Sequence, residues 1–541
     1  MNRIKLVNLV IAIVSIFIST ALSAKICVQL PNFSSDKFQF KDDIKVSSFD
    51  GSKIAANVFT PKGNAPANGY PAIIFVNSWV LEEHQYIIQA KQFAEKGYIV
   101  FSYSARGWGC SEGEVNVGGP KDIQDLGYVI DWLIANTNVD QENIGISGIS
   151  YGSGISLLGL AQEPRIKTAV AMSTWGSLSE SLYQNETPRL FWGFLLVSSG
   201  FITADLEAAI GSNYANLVFN RKIPQTLDWA AKRSVDQYID LINARNAPVY
   251  LSNNFGDNLF QPNNLMKFYE KLTVPKRLDL SQGTHASAEG FGMVGLNSYT
   301  WNNTHRWFDY WLKGIQTNIL SDPPVTMDVA GTVPRQNYSN WPIPEAVEQT
   351  FHLAPRGLVS NGELRTSPYS PWWPKKNTIH SGIDTIATTG IPLLSEVLDA
   401  HLNLPVKTWL NGILRTNGIF FESRPLSNKM RIRGIPKIQL NIEPSLSQYQ
   451  LNAYLYDVAP NGIGTLITHG PFTEYDATSY RDRTINWEMV ATAYDIPRGH
   501  RLAVAFDTFD ALYAVPTILP YKVEFKFNNR TDSTLTVPVV Q

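Results

Sequence analysis

Gly148-Ile149-Ser150-Tyr151-Gly152 places a serine midway between two glycines. The residues before it, NIGISGIS over 143–150, form a short apolar run that predicts a buried strand. The residues after it, SGISLLGLA, predict a helix. A serine hydroxyl is a poor nucleophile unless it is exposed, aligned and next to a base. A tight strand-to-helix turn exposes it, and glycines are needed where larger side chains would collide. The helix start also aims amide N–H groups at developing negative charge. The amide of Tyr151 is therefore one expected oxyanion donor. The second should come from the loop after PAIIFV (71–76), at Asn77, Ser78 or Trp79.

Such a serine needs a base, and the base needs an acid to orient it, both on later strand ends. Asp257 directly follows PVYLSNNFG, and His285 follows KRLDLSQGT. Among the eight histidines, His285 alone follows an acid-bearing strand end. His305 falls in THRWFDYWLKG, a predicted helix, and reads as structural. Asp279 is the main substitute for Asp257. In this scheme His285 takes the proton of Ser150 during attack on a carbonyl, and Asp257 fixes the imidazole tautomer.

These residues need a sheet to carry them. The run 45–60 alternates around a DG turn and predicts a hairpin. PAIIFVNS, YIVFSYS, NIGISGIS, RIKTAVAMST, PVYLSNNFG and KRLDLSQG predict buried strands, and helical spacing over 86–98 and 120–136 falls between them. Strands alternating with helices predict a parallel, doubly wound sheet. Residues 176–245 interrupt the alternation with amphipathic stretches and predict a helical cap. From about 325 onward, short alternating strands with Gly, Pro and Asn turns predict an all-β unit. The expected organisation is 1–24 signal peptide, 25–320 catalytic domain, 321–350 linker and 351–541 β domain, with 355–400 mostly loop.

Composition narrows the function. The 45 Lys and Arg residues against 47 Asp and Glu give a net charge of -2, which supplies no general attraction to nucleic acid. Two cysteines, Cys27 and Cys110, cannot make a disulfide scaffold or a Cys-based zinc site, although they can pair if the chain is exported. The histidines are scattered without ligand spacing, so no metal and no cofactor is expected. Residues 1–24 have a basic start at Arg3 and Lys5, an apolar stretch and small residues Ala21, Ser23 and Ala24: the layout of a secretory signal. The mature chain is expected outside the cytoplasm, secreted or periplasmic, with no integral span after cleavage.

The segments ARGWGCSEGE (105–114), GISYGSG (148–154), NFGDNLF (254–260), GTHAS (283–287) and WFDYWLKG (307–314) together resemble the peptidase S15 and CocE/NonD group of α/β-hydrolases. ESRPL (422–426) and LNAYLYDVAPNGIGTLIT (451–468) resemble the group's C-terminal jelly roll. The resemblance implies an α/β-hydrolase fold with a helical cap, a jelly roll walling the cleft, and a triad on Ser150, Asp257 and His285. In esterase-like members a tyrosine hydroxyl after the first core strand serves the oxyanion. Trp79 stands at that place here, as a candidate oxyanion donor or pocket residue. Arg106 reads as a structural anchor.

The expected activity is hydrolysis of a small ester or amide, or of a short peptide, through an acyl-enzyme. An Xaa-Pro dipeptidyl-peptidase is the alternative within that chemistry. It needs carboxylates near the serine for a substrate ammonium, and Glu82, Glu83, Glu180, Glu186, Asp205 and Glu207 are the candidates. A non-catalytic carbohydrate- or partner-binding protein is the alternative outside it, with Trp341, Tyr369, Trp372 and Trp373 as a platform. Oligomeric state is not legible.

Overall fold

Continuous apolar runs bury both faces, so the strands that carry them belong at the centre of a covered sheet. In the computed structural model, which describes residues 25, 27–330, 332–402, 404–528 and 531–541, they do. The signal-like segment 1–24 lies outside the described residues. The first sheet has eleven strands: β1 (Phe33–Ser34), β2 (Phe38–Ser47), β3 (Lys53–Pro61), β4 (Tyr70–Val76), β5 (Ile99–Tyr103), β6 (Val139–Ile149), β7 (Ile166–Met172), β8 (Val249–Asn254), β9 (Lys276–Ser281), β10 (Val325–Val329) and β11 (Thr332–Tyr338). Their spatial order is β1-β2-β3-β5-β4-β6-β7-β8-β9-β10-β11. The strands from β4 to β10 are parallel to their neighbours in that run. The order reverses around β4, which lies between β5 and β6. Loops at such a reversal splay apart at the carboxyl ends of the strands and leave a crevice there.

The stretch expected to be a linker, 321–350, instead carries β10 and β11, which extend this sheet. Val325, Met327 and Val329 alternate with polar residues and are buried, so one face of this short run is held in the core. The insertion between β7 and β8 is helical, with helices Leu178–Tyr183, Leu190–Thr203, Ala208–Val218, Ile223–Ala231 and Ile239–Ala244.

Residues from Ala346 onward form a β-rich domain of fourteen described strands. Its core gathers Phe351, Leu440, Leu451, Trp487, Phe506 and Phe525. The region 355–400, expected as loop, contains strands Gly362–Arg365 and Lys375–His380 and begins the helix Leu394–Leu402. Trp341 is buried in the core shared with the first sheet, Tyr369 packs on the C-terminal core, and only Trp372 and Trp373 stand exposed. The four aromatics therefore do not form one platform.

The β-rich domain holds the cap at one end. Asn185 Nδ2 donates to the carbonyls of Pro471 at 2.9 Å and Glu488 at 3.2 Å. The Thr187 and Thr473 hydroxyls bond at 2.8 Å. Phe191 N donates to Leu512 O, and Ala514 N donates to Pro188 O. Cys27 and Cys110 form a disulfide with 4.7 Å between Cα atoms, which fixes the first described residues to the loop after β5.

Candidate active site

Ser150 sits where β6 turns into the helix Tyr151–Gln162, with φ 57° and ψ −119°. Positive φ is costly for a residue with a side chain and persists only when its surroundings enforce it. The flanking glycines explain how the turn fits. A Cβ on Gly148 would lie 2.4 Å from the backbone of Gly152, and one on Gly152 would lie 2.1 Å from Val76 O.

Asp257 follows β8, and His285 follows β9. His285 Nε2 is 2.7 Å from Ser150 Oγ, and His285 Nδ1 is 2.7 Å from Asp257 Oδ2. Asp257 is fully buried, and its Oδ1 accepts the amides of Leu259 at 3.0 Å and Phe260 at 2.8 Å. With both carboxylate oxygens placed, the His285 ring is held by its partners and by Phe260 and Trp192 at 5.1 and 5.9 Å between ring centres. Asp279 is not near this chain of contacts. Its carboxylate takes the hydroxyls of Tyr250 and Thr326 and the amide of Asn303. His305 stacks on Phe93 at 3.9 Å, and burial lowers its pKa to about 3, in keeping with a structural role.

The indole N–H of Trp79 is committed to the cap. Its Nε1 donates to Leu196 O at 3.0 Å and Ser199 Oγ at 3.3 Å, so it fastens the loop after β4 to the cap helix Leu190–Thr203. The indole is therefore a wall and a tether, and the expectation that it donates to an oxyanion is corrected. The Ser78 amide is also engaged, by Gln85 Oε1 at 2.6 Å. The backbone amides of Tyr151 and Trp79 make no hydrogen bond to the described residues. Val80 adopts φ 63°, an unfavourable value for a β-branched residue, in the turn closed by Leu81 N donating to Ser78 O.

Sequence reasoning missed the parts that brace these loops. β4 ends at Val76, which pairs with Gly148, so Ile149 has lost its neighbour on that side. Side chains take over. Tyr86 OH accepts the Ile149 amide at 2.8 Å, and Ser78 Oγ donates to Ile149 O at 2.9 Å. Gln85 Nε2 donates to Ser78 Oγ at 2.7 Å and so brackets Ser78 from both sides. On the other flank, buried Glu289 accepts from Ser252 Oγ at 2.7 Å, Asn254 Nδ2 at 3.0 Å and Ser173 Oγ at 3.1 Å. Ser173 Oγ in turn accepts the amide of Ala286, next to His285. No local pattern marks these residues, since their relation is purely tertiary. Tyr86→Phe should lower kcat for an activated ester by about tenfold with KM nearly unchanged, because it loosens the two loops beside Ser150. Steady-state kinetics would check this, and a pure rise in KM would contradict it.

Asp42, Glu83 and His84 place ligand-type atoms within 4.8 Å of one another. Burial alone would lower the His84 pKa, but hydrogen bonds to Asp42 and Glu82 raise it to about 10, so with no ion bound the three residues form an ion-pair cluster.

Fold and site define a serine hydrolase with an α/β-hydrolase domain followed by a β-rich domain. The sequence model of the family described as X-Pro dipeptidyl-peptidase (S15 family) matches residues 50–287, and that described as X-Pro dipeptidyl-peptidase C-terminal non-catalytic domain matches residues 318–535. The two models together span most of the chain, which belongs to this S15 family. A Bacillus anthracis protein named "Putative Xaa-Pro dipeptidyl-peptidase" is 24% identical over 501 residues, covering 83% of this chain and 74% of that one. A Mycobacterium bovis protein named "Putative serine esterase" is 22% identical over 619 residues, covering 92% and 95%. The crystal structure of a CocE/NonD family hydrolase from Staphylococcus aureus superposes with a TM-score of 0.73 at 13% identity, covering 95% and 97%, and shares the fold.

Proposed function

We propose that the protein is an exported serine hydrolase that cleaves an ester or amide through an acyl-enzyme on Ser150. The observation that carries this reading is the unbroken pair of 2.7 Å contacts from Asp257 through His285 to Ser150. Ser150 Oγ attacks the carbonyl carbon as His285 Nε2 takes its proton. The tetrahedral oxyanion is met by the amides of Tyr151 and Trp79. Collapse breaks the bond to the leaving group, which receives the proton from His285. Water, activated by the same imidazole, then attacks the acyl-enzyme and releases acid and free Ser150. Asp257 keeps Nδ1 protonated and stabilises the imidazolium.

Export is supported by the signal-like layout of residues 1–24 and by the Cys27–Cys110 bridge, since disulfides persist in oxidising compartments. Among the described residues, no helix is long and apolar enough to cross a membrane.

The names of the relatives favour two substrates, peptide and ester. A dipeptidyl-peptidase must hold a free ammonium beside the serine. Four of the six candidate acids are engaged elsewhere. Glu82 bonds His84, Glu83 takes Ser104 Oγ, Asp205 meets Lys25, and Glu207 meets Asn116. None of the six lines either cavity that borders Ser150. An ester or simple acyl substrate is therefore the reading the site supports best.

The test is covalent labelling of the full chain with a fluorophosphonate probe, read by mass spectrometry. The adduct is expected on Ser150 and absent from Ser150→Ala. An unlabelled Ser150 would sink the hydrolase reading and favour the binding-protein alternative. Turnover of p-nitrophenyl butyrate but not of Ala-Pro-p-nitroanilide is expected, and the reverse would establish the peptidase.

A further inference from the structure

Two cavities meet at the nucleophile, and Ser150, Trp79, Leu196 and Leu259 border both. One has a volume of about 380 Å³ and is lined by His285, Ala286, Met293, Gln85 and Trp192. The other, about 100 Å³, lies under the cap among Trp175, Leu178, Leu182, Tyr214, Leu217 and Trp229, and does not touch His285. A leaving group must accept its proton from His285 Nε2, so it belongs in the first cavity. The acyl substituent, on the other side of the same carbonyl carbon, then points into the second.

Resting on the acyl-enzyme reading above, we propose that the cap cavity is the acyl-binding site and selects a short, uncharged, apolar acyl group. Size sets the length. An apolar cavity of about 150 Å³ holds a benzene ring, so this one suits an acyl chain of about four to six carbons. Chemistry sets the charge. No Asp, Glu, Lys, Arg or His is among the lining residues. Three polar side chains of the lining are partnered: Asn213 Oδ1 accepts from Thr226 Oγ1 at 3.0 Å, and Tyr214 OH donates to Leu190 O at 3.0 Å. Trp229 Nε1 is a buried polar atom of the lining without a partner, and it is a donor, which cannot meet an ammonium. Asp122 is not among the lining residues, and its carboxylate accepts the Tyr151 hydroxyl at 3.3 Å. An α-ammonium carried into this space would be buried without a counter-charge, at a cost far above that of a few methylenes.

The experiment measures kcat/KM on the full chain for a p-nitrophenyl ester series of increasing acyl length, and for methyl butyrate against methyl 2-aminobutyrate. The optimum is expected at about four to six carbons, with about a tenfold fall by ten carbons, since each misfitted methylene in a closed apolar pocket is felt. The amino ester should be slower than the plain ester by about 100-fold. Trp229→Ala should move the length optimum upward. Because Arg233 lies 3.9 Å over the Trp229 ring and could be disturbed, Leu182→Ala is the second enlarging variant. Asn213→Asp adds a charge at nearly constant volume and should shift the amino-to-plain ester ratio upward by about tenfold. Equal or faster turnover of the amino ester by the unmodified chain, or a length profile that neither enlarging variant moves, overturns the proposal. Failure of the two readings is separable. A chain labelled at Ser150 that prefers charged or long acyl groups defeats the acyl-site proposal alone, whereas a chain not labelled at Ser150 defeats both.

Discussion

Asp257→Asn should lower kcat/KM for an activated ester by about 10⁴-fold while the melting temperature stays close to that of the unmodified chain. The size of the effect comes from the two sides of the carboxylate. Oδ1 accepts the amides of Leu259 and Phe260, and Oδ2 faces His285 Nδ1 at 2.7 Å. An asparagine keeps both loop amides only by placing its carbonyl oxygen toward them. Its NH₂ then faces His285 and donates to Nδ1. The imidazole must put its own proton on Nε2, where it faces Ser150 Oγ and cannot accept the hydroxyl proton. Geometry is preserved and chemistry is lost. A variant with more than about a tenth of the original kcat/KM would show that Asp257 does not set the tautomer.

Arg106→Ala should destabilise the fold by about 3–5 kcal/mol, read by urea unfolding. Arg106 is 1% exposed, and its guanidinium forks onto Asp125 with bonds of 2.7 and 2.8 Å, while its third nitrogen reaches Asp50 at 3.2 Å. Removing it leaves the Asp125 carboxylate buried with no opposite charge. Asp122 is close by, and burial together with the Asp125 charge already pushes its pKa to about 7. A second unpaired acid cannot be absorbed there. Arg106→Lys should fall between the two, because one ammonium cannot reproduce the two-point contact. A loss of less than about 1 kcal/mol would mean that the pair contributes little to the fold.

The meeting of Ser150, His285 and Asp257 was legible because each sits at the end of a short apolar strand, where sequence order and strand order coincide. Gly148 and Gly152 announced the turn through a steric requirement, and Asp257 and His285 followed buried runs directly. The bracing of those loops was not legible. Tyr86 and Gln85 lie 63 and 64 residues or more from Ile149 and Ser150 in the chain, and they matter only because β4 stops one residue short of its neighbour. Trp79 shows the same limit from another side. Its type suggested an N–H donor at the right loop, but the cap helix captured the indole N–H. The run 325–338 was too short for its alternation to be told from turn-rich linker, and the partner strand β9 that selects it is distant in sequence. The Cys27–Cys110 pairing depended on an 83-residue separation that spacing cannot close.

The hydrogen bonds from Asn185, Thr187, Pro188 and Phe191 to the β-rich domain have a consequence for dissection of the molecule. These cap residues stand immediately before the helix Leu190–Thr203 or within it, and that helix supplies Trp192 and Leu196 to the walls around Ser150. A fragment ending near residue 320 would keep Ser150, Asp257 and His285 yet lose the scaffold that sets the ceiling of the chamber. It would be an incomplete vessel, not a minimal enzyme, and the two halves of the polypeptide should melt as one cooperative unit.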